Sequence, residues 1–459
     1  SHGKLGSVAL SLPPTDLDLL DGLYSQQTLL ISPEDLDACD GVLVIGNVFH
    51  THPVISRLLL DKKFANSRYP FAVVDTYRSV TTRFASASLE IPPGSHEEVL
   101  ERLVIALGTT MTVEIVPEVT QLAKAAGVPY GTALRLAKQI QSAHRVAVLV
   151  APELTKNSNW CSVAKAVNHV AEVTGGGVLP LLSYGNALGA YRIMQNLRLP
   201  RFENLLLKSR KSPWAAWIEI GCSLSQTYPS HLLEPLYGPD TNTKRIVFSM
   251  LKTPESEKAD LAVSIPVPSE FSGHVVSGGS REITLNPQGS IPFWTRSVRI
   301  FFENLMRPAQ FHSDATVWRN TPAIVGNIEC SSPMESSSEA GRLALVGVTT
   351  PIHFEDGSLT RAAGWTRYFE SEPVVSVAPE TAVQLGIQNG SPVTIKRNGV
   401  KFHAHCQVSP NLATNCAVVP AHFPEIRQFL PWVLDEHGSR LYCSRVGVEI
   451  EPVVEGGGS

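Results

Sequence analysis

The chain has 459 residues, 17% of them charged and 43% hydrophobic, with a formal net charge of −4. That balance fits a globular chain of about two to four domains with a sizeable core. It excludes the strongly basic face expected of a nucleic-acid binder, and no apolar run approaches the roughly 20 residues of a membrane-spanning helix.

No secretory signal is visible. The chain does not start with Met, so a preceding segment is allowed for. Seven cysteines stand far apart, at Cys39, Cys161, Cys222, Cys330, Cys406, Cys416 and Cys443, and none forms a C-x-x-C pair. Wide spacing and an odd count point to reduced thiols in a cytoplasmic protein. Scattered ligands also argue against an iron–sulfur or zinc site of local spacing.

In residues 1–40, Pro13-Pro14 followed by Thr15-Asp16 predicts a short helix through Asp21, stopped at Gly22. The stretch from Gly41 to Gly94 organises the rest. Val42 to Ile45 is a short apolar run closed by Gly46-Asn47, and Val54, Ile55, Leu58 and Leu59 then recur at helical spacing. A second apolar run, Phe71 to Val74, ends at Asp75. Strand, glycine turn, helix and strand make a right-handed βαβ unit of a parallel sheet. Ligands of such sheets bind beyond the carboxyl ends of the strands, which here are Gly46-Asn47 and Asp75 to Arg78.

Helices are expected over 97–107, 117–125 and 131–143, the last capped by Thr132. Arg145 to Val150 reads as a buried parallel strand. A helix from Trp160 to Val173, a strand from Val178 to Leu182 and a glycine-containing turn at Asn186, Ala187, Gly189 and Ala190 follow. The opening architecture then recurs. Trp217 to Ile220 is a strand ended by Gly221-Cys222-Ser223, followed by a helix from Ser230 to Tyr237 and a strand from Arg245 to Ser249. Ser272 to Thr284, with Gly273, His274 and Arg281, reads as a loop.

The Ser-rich stretch 312–342 is expected to be a linker. After it, Leu343 to Val348 and Val374 to Ala378 read as strands. Pro379 begins a short helix that ends at Leu385-Gly386. Asn389-Gly390 is a turn, and Asn398-Gly399 joins Val393–Lys396 to Lys401–Val408 as a hairpin. His403 and His405 share one face of that strand. Neither they nor the pair His50 and His52, nor His422, forms a metal-ligand pattern by sequence spacing, so no metal ligand is expected from this chain's spacing.

The turns resemble the molybdopterin oxidoreductase family, which includes formate dehydrogenases, nitrate reductases, formylmethanofuran dehydrogenases and the large subunit of respiratory complex I. That family carries I-G-S-N-P-A-E-x-H-P and then a strand ending V-D-P-R-R-T-E-T. Here Ile45, Gly46, Asn47, His52 and Pro53 stand in order with one residue fewer in the turn, followed by Val74, Asp75, Arg78 and Thr81, then by Pro93-Gly94-Ser95-His96. Thr76-Tyr77 replace Pro-Arg, and Val80 replaces Glu. Gly221, Ser223 and Pro254-Glu255 resemble the family's second turn unit. Gly273 and Arg281 match its E-G-T-F-T-N-x-E-G-R loop, and Leu359-Thr360-Arg361 matches its L-T-R. The stretch VAPETAVQLGIQNGSPVTI resembles its C-terminal barrel core, S-P-E-D-A-x-x-L-G-I-x-D-G-D-x-V.

The resemblance implies an α/β fold of two parallel-sheet dinucleotide-binding units followed by a C-terminal β-barrel. The expected boundaries are 1–137, 138–311, a linker at 312–342, the barrel at 343–453 and a tail at 454–459. It implies a molybdopterin guanine dinucleotide carrying Mo or W. Gly46, Asn47, His52, Asp75, Arg78 and Gly94 would hold one tail, and Gly221, Ser223 and Glu255 would face the other. Gly273, Arg281, Thr360 and Arg361 would lie along the phosphates and pterin. Family members with a metal place a Cys, selenocysteine, Ser or Asp ligand near residues 7–16, where this chain offers Ser7, Ser11 and Asp16 but no Cys. The family's Cys-rich cluster segment is not in this sequence, so no iron–sulfur cluster is expected in the chain. Its partners are expected to be other subunits of a complex, iron–sulfur subunits among them. The implied substrate class is formate or a formyl compound. No residue takes a catalytic role by sequence. Two other readings stand beside this one: a cofactor-free scaffold subunit of a redox or one-carbon complex, and an unrelated nucleotide-binding α/β enzyme.

Overall fold

The computed structural model describes residues 7–453, apart from 110–114, 153–158, 287–297, 299–341, 435–440 and shorter stretches that include 223, 277–280, 354–356, 358–359 and 361–362. The expected linker lies almost wholly outside the described residues. The chain forms two compact units, one built from 13–183, 325–433 and 442–459, the other from 1–12, 184–324 and 434–441.

The larger unit holds a five-stranded sheet of β1 (Gly41–Ile45), β2 (Phe71–Asp75), β3 (Ala87–Glu90), β4 (Val146–Val150) and β5 (Val178–Pro180). The order is β3-β2-β1-β4-β5, and every pairing is parallel. β1, β2 and β4 are buried along their whole length. This is why they read as unbroken Val, Ile and Leu runs rather than alternating ones. The chain builds outward from β1 through β2 to β3, then returns to β1's other edge for β4. The order therefore reverses at β1, and the carboxyl ends of β1 and β4 flank the switch point at which such sheets bind ligands. β4 and β5 join the sheet of β1, so the expected boundary at residue 137 does not coincide with a sheet boundary.

Helices α1 (Pro14–Ser25), α2 (Pro53–Ala65), α3 (Val80–Phe84), α4 (His96–Leu107), α5 (Pro117–Ala126), α6 (Tyr130–Gln141) and α7 (Trp160–Val173) complete this α/β part. Val99, Leu100, Leu103 and Leu107 form the buried stripe of α4, as their spacing predicts. In α2 the buried residues are Ile55, Ser56 and Leu59, while Val54 is exposed. Thr132 is not a cap: α6 starts earlier, after Pro129. Gly22 does not stop α1. It lies inside the helix, where a Cβ would stand 2.5 Å from the Ala164 Cβ and 2.6 Å from the Cys161 carbonyl oxygen. The glycine allows α1 to close on α7, a use that one helix read alone cannot reveal.

The smaller unit carries β6 (Ala216–Ile220), β7 (Lys244–Ser249) and β8 (Leu261–Ser264), parallel in the order β6-β7-β8. The segment expected as a loop at 272–284 instead pairs β9 (Gly273–Val276) with β10 (Glu282–Leu285) as antiparallel strands. The expected glycine turn at 186–190 opens a helix, Ala187–Leu197. Asn186 accepts a hydrogen bond from the Val276 amide at 2.8 Å, which ties that helix start to β9.

The C-terminal part of the larger unit is a closed six-stranded barrel. Its strands are β11 (Leu343–Val348), β12 (Val374–Val377), β13 (Pro392–Arg397), β14 (Val400–Val408), β15 (Cys416–Pro420) and β18 (Gly447–Pro452); the short β16 (Trp432–Leu434) and β17 (Leu441–Cys443), which precede β18 in the chain, pair with each other outside the barrel. The order round the barrel is β11-β15-β12-β14-β13-β18. Along β14, Phe402, Ala404 and Cys406 point inward, while His403 and His405 stay exposed, as the two-residue period requires. Val375, Val377, Val393, Ile395 and Val448 fill the interior with Phe402. Closure removes sheet edges, and each fully buried Val, Ile or Phe contributes about 1.5–3 kcal/mol. Gly390 and Gly399 take φ of 83° and 81°, the left-handed turns their positions after Asn predict.

Cys39, Cys222, Cys406 and Cys416 are free thiols. Cys161 is disulfide-bonded, which departs from the expectation of thiols throughout. Among the described residues, no helix is long and apolar enough to cross a membrane.

Candidate functional site

β1 is followed by Gly46, whose φ of 103° only glycine adopts freely. The next residue, Asn47, is buried, and both ends of its carboxamide are engaged. It donates to Tyr77 Oη at 3.0 Å and accepts from Thr81 Oγ1 at 2.9 Å. Thr81 Oγ1 in turn accepts from the Val48 and Phe49 amides at 3.0 and 3.1 Å. One hydroxyl of α3 thus fixes the loop after β1. His52 is also committed to the fold. One ring nitrogen meets the Leu182 carbonyl at 3.1 Å and the other Thr51 Oγ1 at 2.9 Å. Burial lowers its pKa, so the ring is neutral at pH 7.

The end of β2 is different. Asp75 is fully buried and accepts from the Thr76 amide at 2.7 Å. Thr76 and Ser79 are 2% and 3% exposed, yet their hydroxyls find no hydrogen-bond partner among the described residues. Buried hydroxyls are normally paired. Two such exceptions beside Asp75, after a strand that borders β1, form a polar cradle suited to a ligand with several hydrogen-bonding groups. Arg78, exposed between them, offers the cation. Burial raises the pKa of Glu90, and the charge of Arg78 works against that rise. Glu90 is Asp75's partner across the β2–β3 pairing. Gly94 lies further on, exposed and at φ 87°.

In the smaller unit, Gly221 repeats the device after β6, with φ 66° and open space where a Cβ would stand. Ser223 lies outside the described residues. Glu255 is buried and accepts from the Ser225 amide at 2.7 Å, holding the start of helix Leu224–Thr227. The sequence did not single out its neighbour Glu219. That carboxylate is buried in mid-strand and accepts from Tyr237 Oη and, at 3.1 Å, from Trp217 Nε1. Its Oε2 has no partner among the described residues. Burial pushes its pKa up to about 7, with the charge of Glu255 adding to the rise. Burial also pushes the Cys222 thiol up to about 12, which makes it a packed thiol rather than a nucleophile. A Glu inside a W-x-E strand pattern was the available signal for this site, but nothing in the sequence tells which strand residues face inward in so short a run.

Gly273 lies on β9 and Arg281 is exposed just before β10. His274 is not in a loop. It sits 3.0 Å from Glu282 on the paired strand. Of the L-T-R motif, only Thr360 is described, and its hydroxyl lies 3.0 Å from His353 Nδ1. Asp16 receives the Ser183 amide and hydroxyl at 2.9 and 3.2 Å, a tie between α1 and the segment after β5.

His403 meets Thr394 across the β13–β14 pairing, and His405 meets Glu372, in the segment before β12. Among the described residues, the group able to hold a metal by proximity is instead His353, Glu370 and His422, whose ligand atoms all lie within 4.8 Å of one another. Sequence spacing alone gave no metal set because these three stand far apart in the chain.

No protein-family profile matches the chain, and no curated protein matches it in sequence. Solved structures do. Acetylene hydratase from Pelobacter acetylenicus overlays with a TM-score of 0.67 at 13% identity, covering 95% of this chain and 81% of that one. At that identity the likeness establishes the fold. The formyltransferase/hydrolase complex FhcABCD from Methylorubrum extorquens, in complex with methylofuran, overlays at a TM-score of 0.42 and 11% identity, covering 62% of this chain and 86% of that one.

Proposed function

We propose that this chain is the pterin-dinucleotide-binding subunit of a molybdopterin-type oxidoreductase complex. The observation that carries the reading is the pair of buried hydroxyls of Thr76 and Ser79, without a partner among the described residues, beside Asp75 at the carboxyl end of β2, the neighbour of β1. The fold shared with acetylene hydratase supports it. In this reading Asp75, Thr76 and Ser79 accept and donate hydrogen bonds to one tail of the cofactor, and Arg78 neutralises a phosphate. Gly46 lets the tail approach the backbone. Asn47, Thr81 and His52 do not touch it; they hold the turn in shape. Thr360 lies along the cofactor's length, and in the smaller unit Gly221 and Glu255 frame a turn of the same kind. When bound, the group supplies the metal's redox or hydration chemistry, and the chain supplies position and charge. An iron–sulfur partner subunit would take up the electrons such a group releases, and formate or a formyl compound is the substrate class of this reading.

The test is elemental analysis with pterin fluorescence on the protein purified from its native source. One Mo or W per chain with an oxidised pterin spectrum is expected, and Asp75→Asn with Arg78→Ala should lower both together. A native protein with neither metal nor pterin would replace this reading with the scaffold. The internal engagement of Asn47 and His52 favours that second reading, because it leaves two of the family's turn residues without a ligand to hold.

A further inference from the structure

We infer that the larger unit carries a second, separate metal site, in which His353, Glu370 and His422 bind a divalent transition ion of the Zn²⁺ type. His353 and His422 are each 2% exposed, and their ring centroids stand 4.2 Å apart with a 32° tilt. The Glu370 carboxylate reaches the same point from the surface, and all ligand atoms lie within 4.8 Å of one another. Zinc bonds of about 2.0–2.2 Å to nitrogen and oxygen set tetrahedral ligand atoms about 3.3–3.6 Å apart, so the three side chains close up on the ion when it binds.

A second observation bears on one ligand. Thr360 Oγ1 lies 3.0 Å from His353 Nδ1 and 3.3 Å from the Gly357 carbonyl. In the tautomer with the proton on Nδ1, that nitrogen donates to Thr360 and Nε2 is left to bind the ion. An imidazole whose second nitrogen donates to an oxygen is the arrangement that orients metal-bound histidines. His422 is held on its other side by Phe423, with ring centroids 4.3 Å apart. Both rings are thus positioned before any ion arrives. The charge of Glu370 is also felt by His50, in the loop after β1: burial lowers the pKa of that ring, and the carboxylate opposes the effect.

Two histidines and one carboxylate leave a fourth position of a tetrahedral ion open. That set suits an ion that binds or polarises a water or a substrate oxygen, rather than one closed off by protein ligands. The site uses none of the residues assigned to the dinucleotide tail except Thr360, which acts here through His353.

The experiment is calorimetric titration of the chelator-treated full chain with Zn²⁺, with Co²⁺ substitution to read the ligand set optically. One Zn²⁺ per chain is expected, together with a tetrahedral Co²⁺ spectrum lacking a thiolate band. His422→Ala should weaken binding at least about 100-fold, Glu370→Gln about 10- to 100-fold, and Thr360→Val about 10-fold. Glu370 is exposed, so its variant keeps the fold, and circular dichroism checks the histidine variants. Absence of stoichiometric Zn²⁺ binding by the folded chain would overturn the inference, as would binding that Glu370→Gln and His422→Ala leave unchanged. A Co²⁺ spectrum with a thiolate band would also overturn it. The pterin and molybdenum content of the same sample is counted separately, so failure of this site and failure of the dinucleotide reading remain distinguishable.

Discussion

The two glycine turns, after β1 and after β6, start from the same sequence device and are stabilised in opposite ways. Behind Gly46, polar groups are satisfied by side chains: Asn47, Tyr77 and Thr81 close a network that uses both ends of the carboxamide and two backbone amides of the turn. Behind Gly221, a carboxylate is buried in the strand itself, with one oxygen satisfied and the other not. The first turn is closed by amide and hydroxyl groups. The second carries a titrating group whose neutral form suits the fold. A glycine after a short apolar strand therefore marks where a turn lies, while the side chains around it decide how rigid and how pH-sensitive that turn is.

The largest expected effect tests the paired network. Thr81→Val removes the acceptor of two backbone amides and the donor to Asn47, at a cost of about 4 kcal/mol. Urea unfolding of the purified variant measures it, and a loss below about 1 kcal/mol would mean that water replaces the hydroxyl.

Next comes the buried carboxylate. The folded-state pKa of Glu219 is raised to about 7 from 4.5, so the folded protein holds this proton over a range where the unfolded chain has released it. Its contribution to stability is greatest below about pH 4.5, falls as pH rises through 7 and is lost above that. Glu219→Gln, which stays neutral and can still accept from Tyr237, should match the parent protein at pH 4 and exceed it by on the order of 3 kcal/mol at pH 8. Parallel unfolding curves across the pH range would show instead that Glu219 is ionised in both states.

The glycines themselves separate the turns by a smaller margin. Gly46→Ala, at φ 103°, should cost about 2 kcal/mol. Gly221→Ala, at φ 66° with open space around the new methyl, should cost about 1 kcal/mol. Equal losses in thermal unfolding would remove the distinction between a constrained and an open turn. The smallest effect is the most informative about ligand binding. Ser79→Ala deletes a buried hydroxyl that has no partner among the described residues, so stability should rise by about 0.5 kcal/mol. A fall of 1 kcal/mol or more would show that the hydroxyl is paired in the unliganded protein, and the cradle would lose its argument.

Much of the barrel was legible in the sequence. The alternation of Phe402, Ala404 and Cys406 with His403 and His405, and the turns at Gly390 and Gly399, are local properties of strand and turn backbone. The unbroken apolar runs of β1, β2 and β4 announced strands covered on both faces. The segment at 272–284 reads as a loop in the sequence because its strands, GHVV and EITL, are only four residues long and flank a Ser-Gly run, and only pairing between them makes them strands.

What the sequence determined by itself were quantities set within a few residues: helical and strand periods, the glycines that break them, and the order of the elements. What only the tertiary structure decided were meetings between distant residues. Gly22 looked like a helix stop because a missing side chain is a local weakness, and it is a packing residue because Ala164 and Cys161 fill that space. β4 was counted with a second unit, and hydrogen bonding to β1 placed it in the first sheet. Asn47 stands in the family's turn motif, and only the fold brings Tyr77 and Thr81 to both ends of its amide. His353, Glu370 and His422 carry no spacing pattern, since metal-ligating atoms are selected by distance in space and the chain's path between them is free to vary.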